Sequence, residues 1–212
     1  MSLFKQFSNY ASYPIPHQVL LSLLKDYKRP NDKIHDLLTK KEIISLKKGL
    51  YVTGPLIKGG QQSSELIANH LMGPSYISLD YALSFYGLIP EKVFEVSSVT
   101  VKPSKKFKTP LGIFTYTHLP LPYYSFGLSQ LLISSNQYAV MASVEKAICD
   151  KIICTKNVQL RSKQDAYHFL IDDLRIDADA LKKLDTALIE KWLPHAPKKN
   201  SIHFLIKAIF TL

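Results

Sequence analysis

The chain has 212 residues, 46% hydrophobic and 21% charged, which is the usage of a folded globular protein and excludes a disordered or low-complexity one. Its 27 Lys and Arg against 17 Asp and Glu leave a formal net charge of +10, a balance that favours polyanionic partners such as nucleic acid. No apolar run approaches the roughly 20 residues a bilayer span needs, so membrane insertion is not expected.

The first 13 residues lack the basic-then-apolar layout of a secretory signal. Val19, Leu20, Leu23 and Leu24 then form a stripe that predicts a helix over 14–27 with one apolar face. Lys28-Arg29-Pro30 breaks it, because the residue before a proline is pushed out of the helical region, and Asn31 or Asp32 can cap a second helix running to about residue 41. In that helix Ile34, Leu37 and Leu38 recur at helical spacing, leaving Lys33, His35, Lys40 and Lys41 on other faces. Residues 42–52 hold two short β-forming runs around Lys47-Lys48-Gly49, which predicts a hairpin with a basic tip, Gly49 supplying a positive φ. Helix, turn, helix and basic hairpin are the parts of a winged helix-turn-helix, assigned to residues 1–54.

Gly54-Pro55 and the glycine- and serine-rich run at 59–64 mark a linker over 55–64, with a larger domain over 65–212. Short helices are predicted at 65–71 and 79–86, the second capped by Ser78. Period-two alternation at 93–101 and 112–119 predicts strands of an antiparallel sheet. Helical patterns follow at 140–154, 162–174, 178–191 and 200–210, and Cys149 and Cys154, facing different ways on the first of these, read as buried thiols of a reducing cytoplasm. The expected fold class is α+β: an N-terminal winged helix-turn-helix followed by a larger mixed domain ending in several helices.

Half of the excess charge lies between residues 28 and 58, where Lys28, Arg29, Lys33, Lys40, Lys41, Lys47, Lys48 and Lys58 face only Asp32, Asp36 and Glu42. Phosphate neutralisation releases counterions and supplies non-specific affinity for DNA, while a helix in the major groove reads base edges. Lys33 and His35, with Asn31 at the cap, are placed to reach bases or phosphates, and Lys47 and Lys48 to reach phosphate or the minor groove. With Lys28, Arg29, Lys40 and Lys41 they make up the candidate DNA-binding set. The same lysines would equally suit a solvated face; a basic turn directly after a candidate recognition helix favours DNA. A secondary basic patch, Lys102, Lys105, Lys106 and Lys108, is expected on a solvated loop near Pro103 and Pro110.

An enzyme would have to use Asp80, Glu91, Glu95, Lys102, Glu145, Lys146 and Asp150. Asp80 and Pro90-Glu91-Lys92 faintly match the acid-then-lysine layout of metal-dependent nucleases, but Glu95 and Lys102 stand seven apart where such a site sets an acid and a lysine two apart on one strand. Glu145 reads instead as a helix residue meeting a neighbour, with Ala142, Ile148 and Ile152 inward. The seven histidines show no zinc-ligand pairing, and no phosphate loop or nucleophile elbow is present, so no catalytic residue, cofactor or metal is expected.

Several strings resemble the AbiEi-type antitoxins of type IV, abortive-infection toxin-antitoxin systems. Residues 46–52, Leu-Lys-Lys-Gly-Leu-Tyr-Val, look like that family's wing. Ile67-Ala68-Asn69, Gly73-Pro74-Ser75-Tyr76-Ile77-Ser78, Ala82-Leu83 and Tyr86-Gly87-Leu88-Ile89-Pro90-Glu91 look like the opening of its C-terminal domain. Ser98-Val99-Thr100, Gly112-x-Phe114-x-Tyr116 and Ala142-Ser143-x-Glu145-Lys146-Ala147 with Asp150 continue it in order, so the match runs from Asn31 to Asp150. The resemblance implies repression of the chain's own operon through inverted repeats in double-stranded DNA, which would suit a dimer on the DNA. It also implies that the C-terminal domain counteracts a cognate nucleotidyltransferase-like toxin, with which it need not form a stable complex. A metal-dependent nuclease and an orphan transcription regulator are the alternatives.

Overall fold

The computed structural model describes residues 3–57, 62–134 and 136–212, so Lys58 and most of the glycine-rich part of the expected linker lie outside the described residues. The chain begins with α1 (Leu3–Ser8), β1 (Ile15–Pro16), α2 (His17–Leu23), α3 (Pro30–Thr39), β2 (Ile43–Lys47) and β3 (Leu50–Thr53), and the three strands form a sheet in the order β1-β3-β2. The helix expected over 14–27 is therefore shorter. Its first residues are taken by β1, where Ile15 pairs with Tyr51 and is fully buried. Asn31 and Asp32 are not caps either: Pro30 already stands at the first helical position, where a missing N–H costs nothing and the fixed φ suits the helix.

Between β2 and β3 the turn is Lys48-Gly49, with Gly49 at φ 84°, so Lys47 is a strand residue and not a tip. At the other end of the hairpin Gly54 lies against the corner that leaves α3, where a Cβ would overlap the Lys41 carbonyl oxygen. Only glycine lets the two segments approach so closely.

The second unit comprises α4 (Ser64–Leu71), β4 (Ser75–Ile77), α5 (Leu79–Phe85), β5 (Val96–Thr100), β6 (Lys105–Thr109), β7 (Gly112–His118), β8 (Leu128–Ser134), β9 (Gln137–Ala142), α6 (Val144–Cys154), α7 (Lys163–His168), α8 (Ala178–Lys182), α9 (Thr186–Trp192) and α10 (Lys199–Ile209). Its six strands run in the order β6-β7-β5-β4-β9-β8. The sheet is mixed, not antiparallel as expected: β5 pairs parallel with β7, and β4 parallel with β9. The reason lies in the segment read as a loop. Residues 105–109 form edge strand β6, and the β6–β7 hairpin brings β7 back between β6 and β5, so that β7 runs the same way as β5.

The helix expected over 140–154 starts later, because residues 140–142 belong to β9 and Ser143 caps α6 by accepting from the Lys146 N–H. The helix expected over 178–191 is two helices, the second capped by Asp185. Ser78 precedes α5 but gives its hydroxyl to Asp150 instead of the helix N-terminus.

That bond belongs to a polar cluster inside the larger core. Lys146 and Asp150, one turn apart on α6, are both fully buried, with Nζ 3.1 Å from Oδ1. The hydroxyls of Tyr76 and Ser78 donate to Asp150 Oδ2 at 2.9 and 2.8 Å, and Lys146 Nζ donates to the Tyr123 carbonyl at 2.9 Å while lying 3.4 Å from the centre of that ring. Burial lowers the Lys146 pKa and raises that of Asp150, so each charge depends on the other. Cys149 is buried, Cys154 half-buried, both are free, and burial pushes both thiols up to about 12. Lys146→Met should cost about 3–5 kcal/mol in urea denaturation by stranding the carboxylate, and adding Asp150→Asn should recover at least half of that loss.

Candidate nucleic-acid interface

Helix α3 buries Ile34 and Leu37 in a small core made by the N-terminal residues, together with Leu20, Leu24, Ile43 and Tyr51. Its outer face is consequently open. Asn31, Asp32, His35 and Thr39 are exposed there, as are Lys28 and Arg29 just before it and Lys41 just after.

Two of the expected DNA-binding side chains are engaged within the helix. Lys33 Nζ lies 2.8 Å and Lys40 Nζ 2.9 Å from the Asp36 carboxylate. The Lys33 and Lys40 hydrogen bonds hold that carboxyl below the usual range, and the Asp36 hydrogen bond raises Lys33. Lys33 also lies over the Tyr27 ring at 5.7 Å, so it is half-buried and less available than its sequence position implied. Arg29 stands 3.7 Å from Asp32, with both side chains largely exposed.

The hairpin departs furthest from the sequence reading. Lys48 is exposed at the turn, whereas Lys47 turns back and donates to the Leu71 carbonyl at 2.6 Å, at the C-terminal end of α4. Burial lowers the Lys47 pKa, with Lys102 and Lys105 contributing in the same direction. Lys102 Nζ in turn donates to the Gly73 carbonyl. Two ammonium groups thus satisfy carbonyls at and just past the negative end of one helix. Lys47 bridges the two units and, contrary to the sequence expectation, is not placed to reach phosphate.

The secondary patch is correspondingly split. Lys105 lies 4.8 Å over the Phe107 ring, Lys106 pairs with Glu95 at 2.7 Å, and Lys108 is exposed with no ion pair among the described residues. β6 lies beside β2, so the lysines of the sheet edge continue the surface of the hairpin. Sequence reasoning missed this continuity because it depends on residues 105–109 being a strand, and the alternation of Lys106 and Lys108 around Phe107 was the available signal.

The acids weighed for catalysis are dispersed. Asp80 pairs with Lys151 at 2.6 Å, Glu91 with Arg175 and Glu95 with Lys106. Glu145 accepts from the Ser143 hydroxyl and the Asp185 N–H, meeting a neighbour as expected. Among the described residues no group of three or more His, Cys, Asp or Glu could hold a metal ion, and no helix is long and apolar enough to cross a membrane.

No family model and no curated protein matches the chain. Among solved structures the chain is similar to the crystal structure of the RV2827C protein from Mycobacterium tuberculosis, with a TM-score of 0.63, covering 97% of this chain and 75% of that one at 11% identity. The likeness is one of fold. Both the likeness and the helices and mixed sheet described above place the chain in the α+β class.

The different placements of the two hairpin lysines can be measured. Lys47→Met should lower stability by about 1–3 kcal/mol, because the Leu71 carbonyl loses a charged donor, whereas Lys48→Met should change it by less than about 0.5 kcal/mol in the same denaturation experiment.

Proposed function

We propose that this chain is a cytoplasmic, double-stranded-DNA-binding regulator that represses its own operon and serves as the antitoxin of a type IV toxin-antitoxin system, without catalysis of its own. The observation that carries the reading is α3, whose apolar side is buried in the small core while its outer face and N-terminal end remain open and bear Lys28, Arg29, Asn31 and His35. The surrounding plan supports it: helix, strand, helix, helix and hairpin, with the first strand joined to the last in the order β1-β3-β2, is consistent with the winged helix-turn-helix expected from the sequence.

In this reading the start of α3 enters the major groove, where Asn31 and His35 address base edges and Lys28 and Arg29 hold the backbone. The N-terminal end of the helix dipole adds attraction for phosphate. Lys48 at the hairpin turn and Lys41 after α3 take flanking phosphates. Lys33 and Lys40 set the helix surface through Asp36. Lys105 and Lys108 extend the cationic surface onto the sheet edge. The resemblance to AbiEi-type antitoxins assigns the second unit to opposing a nucleotidyltransferase-like toxin, with no requirement for a stable complex.

Binding to the DNA upstream of the chain's own gene should fall at least tenfold in a Lys28→Glu, Arg29→Glu, Lys48→Glu variant. Its log–log salt slope should become shallower by about one for each phosphate that the variant no longer neutralises. Equal affinity and slope for variant and parent would sink the interface. The antitoxin role is tested separately by co-expression with the product of the adjacent reading frame. Growth rescue is expected; a neighbour that is not toxic would leave an autonomous regulator.

A further inference from the structure

The two edges of the six-stranded sheet are finished differently. β6 displays Lys105, Lys106 and Lys108, the kind of charge that keeps an exposed edge from pairing with another chain. β8 at the opposite edge reads Leu-Ser-Gln-Leu-Leu-Ile-Ser and carries no charge or proline. Among the described residues it pairs with β9 alone. About every second residue of β8 therefore turns its N–H and C=O away from the sheet, where no other strand among the described residues receives them.

The absence of charge extends well beyond the strand. From Leu119 to Val144 there is no Asp, Glu, Lys, Arg or His in 26 consecutive residues, in a chain 21% charged overall. Within that stretch the register sets Leu128 opposite Ala142, Gln130 opposite Val140 and Leu132 opposite Tyr138. These side chains share one face, on which Leu132 is 60% and Tyr138 51% exposed, with Leu128 and Val140 partly so. Leu131 and Ile133 point the other way and pack on the core.

The geometry points to a second copy of this chain as the occupant of this edge: a two-fold dimer in which β8 pairs antiparallel with β8 of the partner subunit and joins the two sheets. Charge selects that occupant. Two molecules of net charge +10 repel over most of their surfaces, and this segment is one along which they can meet with no like charges opposed. An acidic partner would find no cation here to pair with. Identical strands pairing antiparallel are also two-fold symmetric by construction, so the contact closes at two copies instead of growing into a fibre. The pairing is limited to one end of the strand, since the register shifts between Leu132 and Ser134 and such an irregularity twists an edge away. A two-fold axis at Gln130 then places Leu128 against Leu132 of the partner subunit on the open face, apolar on apolar.

The test uses the full chain without DNA, so its failure leaves the DNA-binding reading untouched, and failure of that reading leaves the dimer standing. Sedimentation velocity over a range of protein concentrations should show a reversible dimer. Leu132→Lys, at a position already largely exposed, should raise its dissociation constant at least tenfold, while Phe210→Lys, equally exposed on α10's end, should not. In a second measurement Gln130→Cys, which faces its own copy at a cross-strand distance of roughly 5 Å, should form an interchain disulfide under mild oxidation, and Phe210→Cys should form none. A monomer at every concentration, or a dimer indifferent to Leu132→Lys with no Gln130→Cys cross-link, would overturn the assignment.

Discussion

Strand β3 has no exposed residue: Leu50, Tyr51, Val52 and Thr53 are all buried. The β2–β3 hairpin to which it belongs is shared by two cores. Ile43 and Tyr51 complete the small core around α2 and α3, while Leu46, Leu50 and Val52 belong to the large core with Tyr76, Val99 and Tyr116. A period-two strand presents two faces, and here each face is claimed by a different hydrophobic cluster. Neither unit can bury its apolar surface without the hairpin, and the hairpin cannot leave one unit without uncovering it. The α3 surface is therefore displayed from a support anchored on both sides.

The same constraint decides which cations are available. A lysine in a strand that lies between two cores must satisfy its ammonium group locally or bear the cost of partial desolvation. Lys47 does so on the Leu71 carbonyl, and Lys102, exposed just after β5, donates to the nearby Gly73 carbonyl. Lys198 is used similarly in the second unit, donating to the carbonyls of Ile152, Thr155 and Val158 near the end of α6. Lys146 is the extreme case, enclosed with its counter-ion. A net charge of +10 thus overstates the cationic surface. Of the candidate DNA-binding residues, those that stay exposed lie outside the shared strands and include Lys28, Arg29, Lys41 and Lys48.

Most helices were readable from the sequence, because burial of an apolar stripe dominates where Ile34 and Leu37, or Ile202, Leu205, Ile206 and Ile209, recur at helical spacing. The sheet was less so. β4 is three residues long, and β8 and β9 were hidden in an apolar run whose end merges with the stripe of α6. Parallel pairing of β5 with β7 is a non-local property that alternation along either strand does not encode. The candidate interface was legible where it rests on local order, as in the exposed start of α3. It was not legible where a side chain's direction is set by a distant segment: nothing near Lys47 in sequence announces the end of α4, 24 residues on. The burial of Lys146 and Asp150 as a pair was not legible for a related reason, since a charged pair inside a core looks in sequence like the solvated side of an amphipathic helix.

The two units are also fastened away from the hairpin. Tyr13 donates its hydroxyl to the Asn136 carbonyl at the β8–β9 turn, and Gln62, just before α4, reaches both Thr53 and the Ala11 carbonyl. With ties at the hairpin, at Tyr13 and at Gln62, the first unit has several separated points of attachment and little scope to swivel. Such a molecule presents α3 as a fixed prong and not as a tethered one. In any symmetric assembly the distance between two such prongs becomes a property of the protein, and under the proposed DNA-binding role it would tolerate little variation in the spacing of paired sites along a duplex. A loosely linked head would adapt to many spacings; this architecture trades that latitude for a ruler.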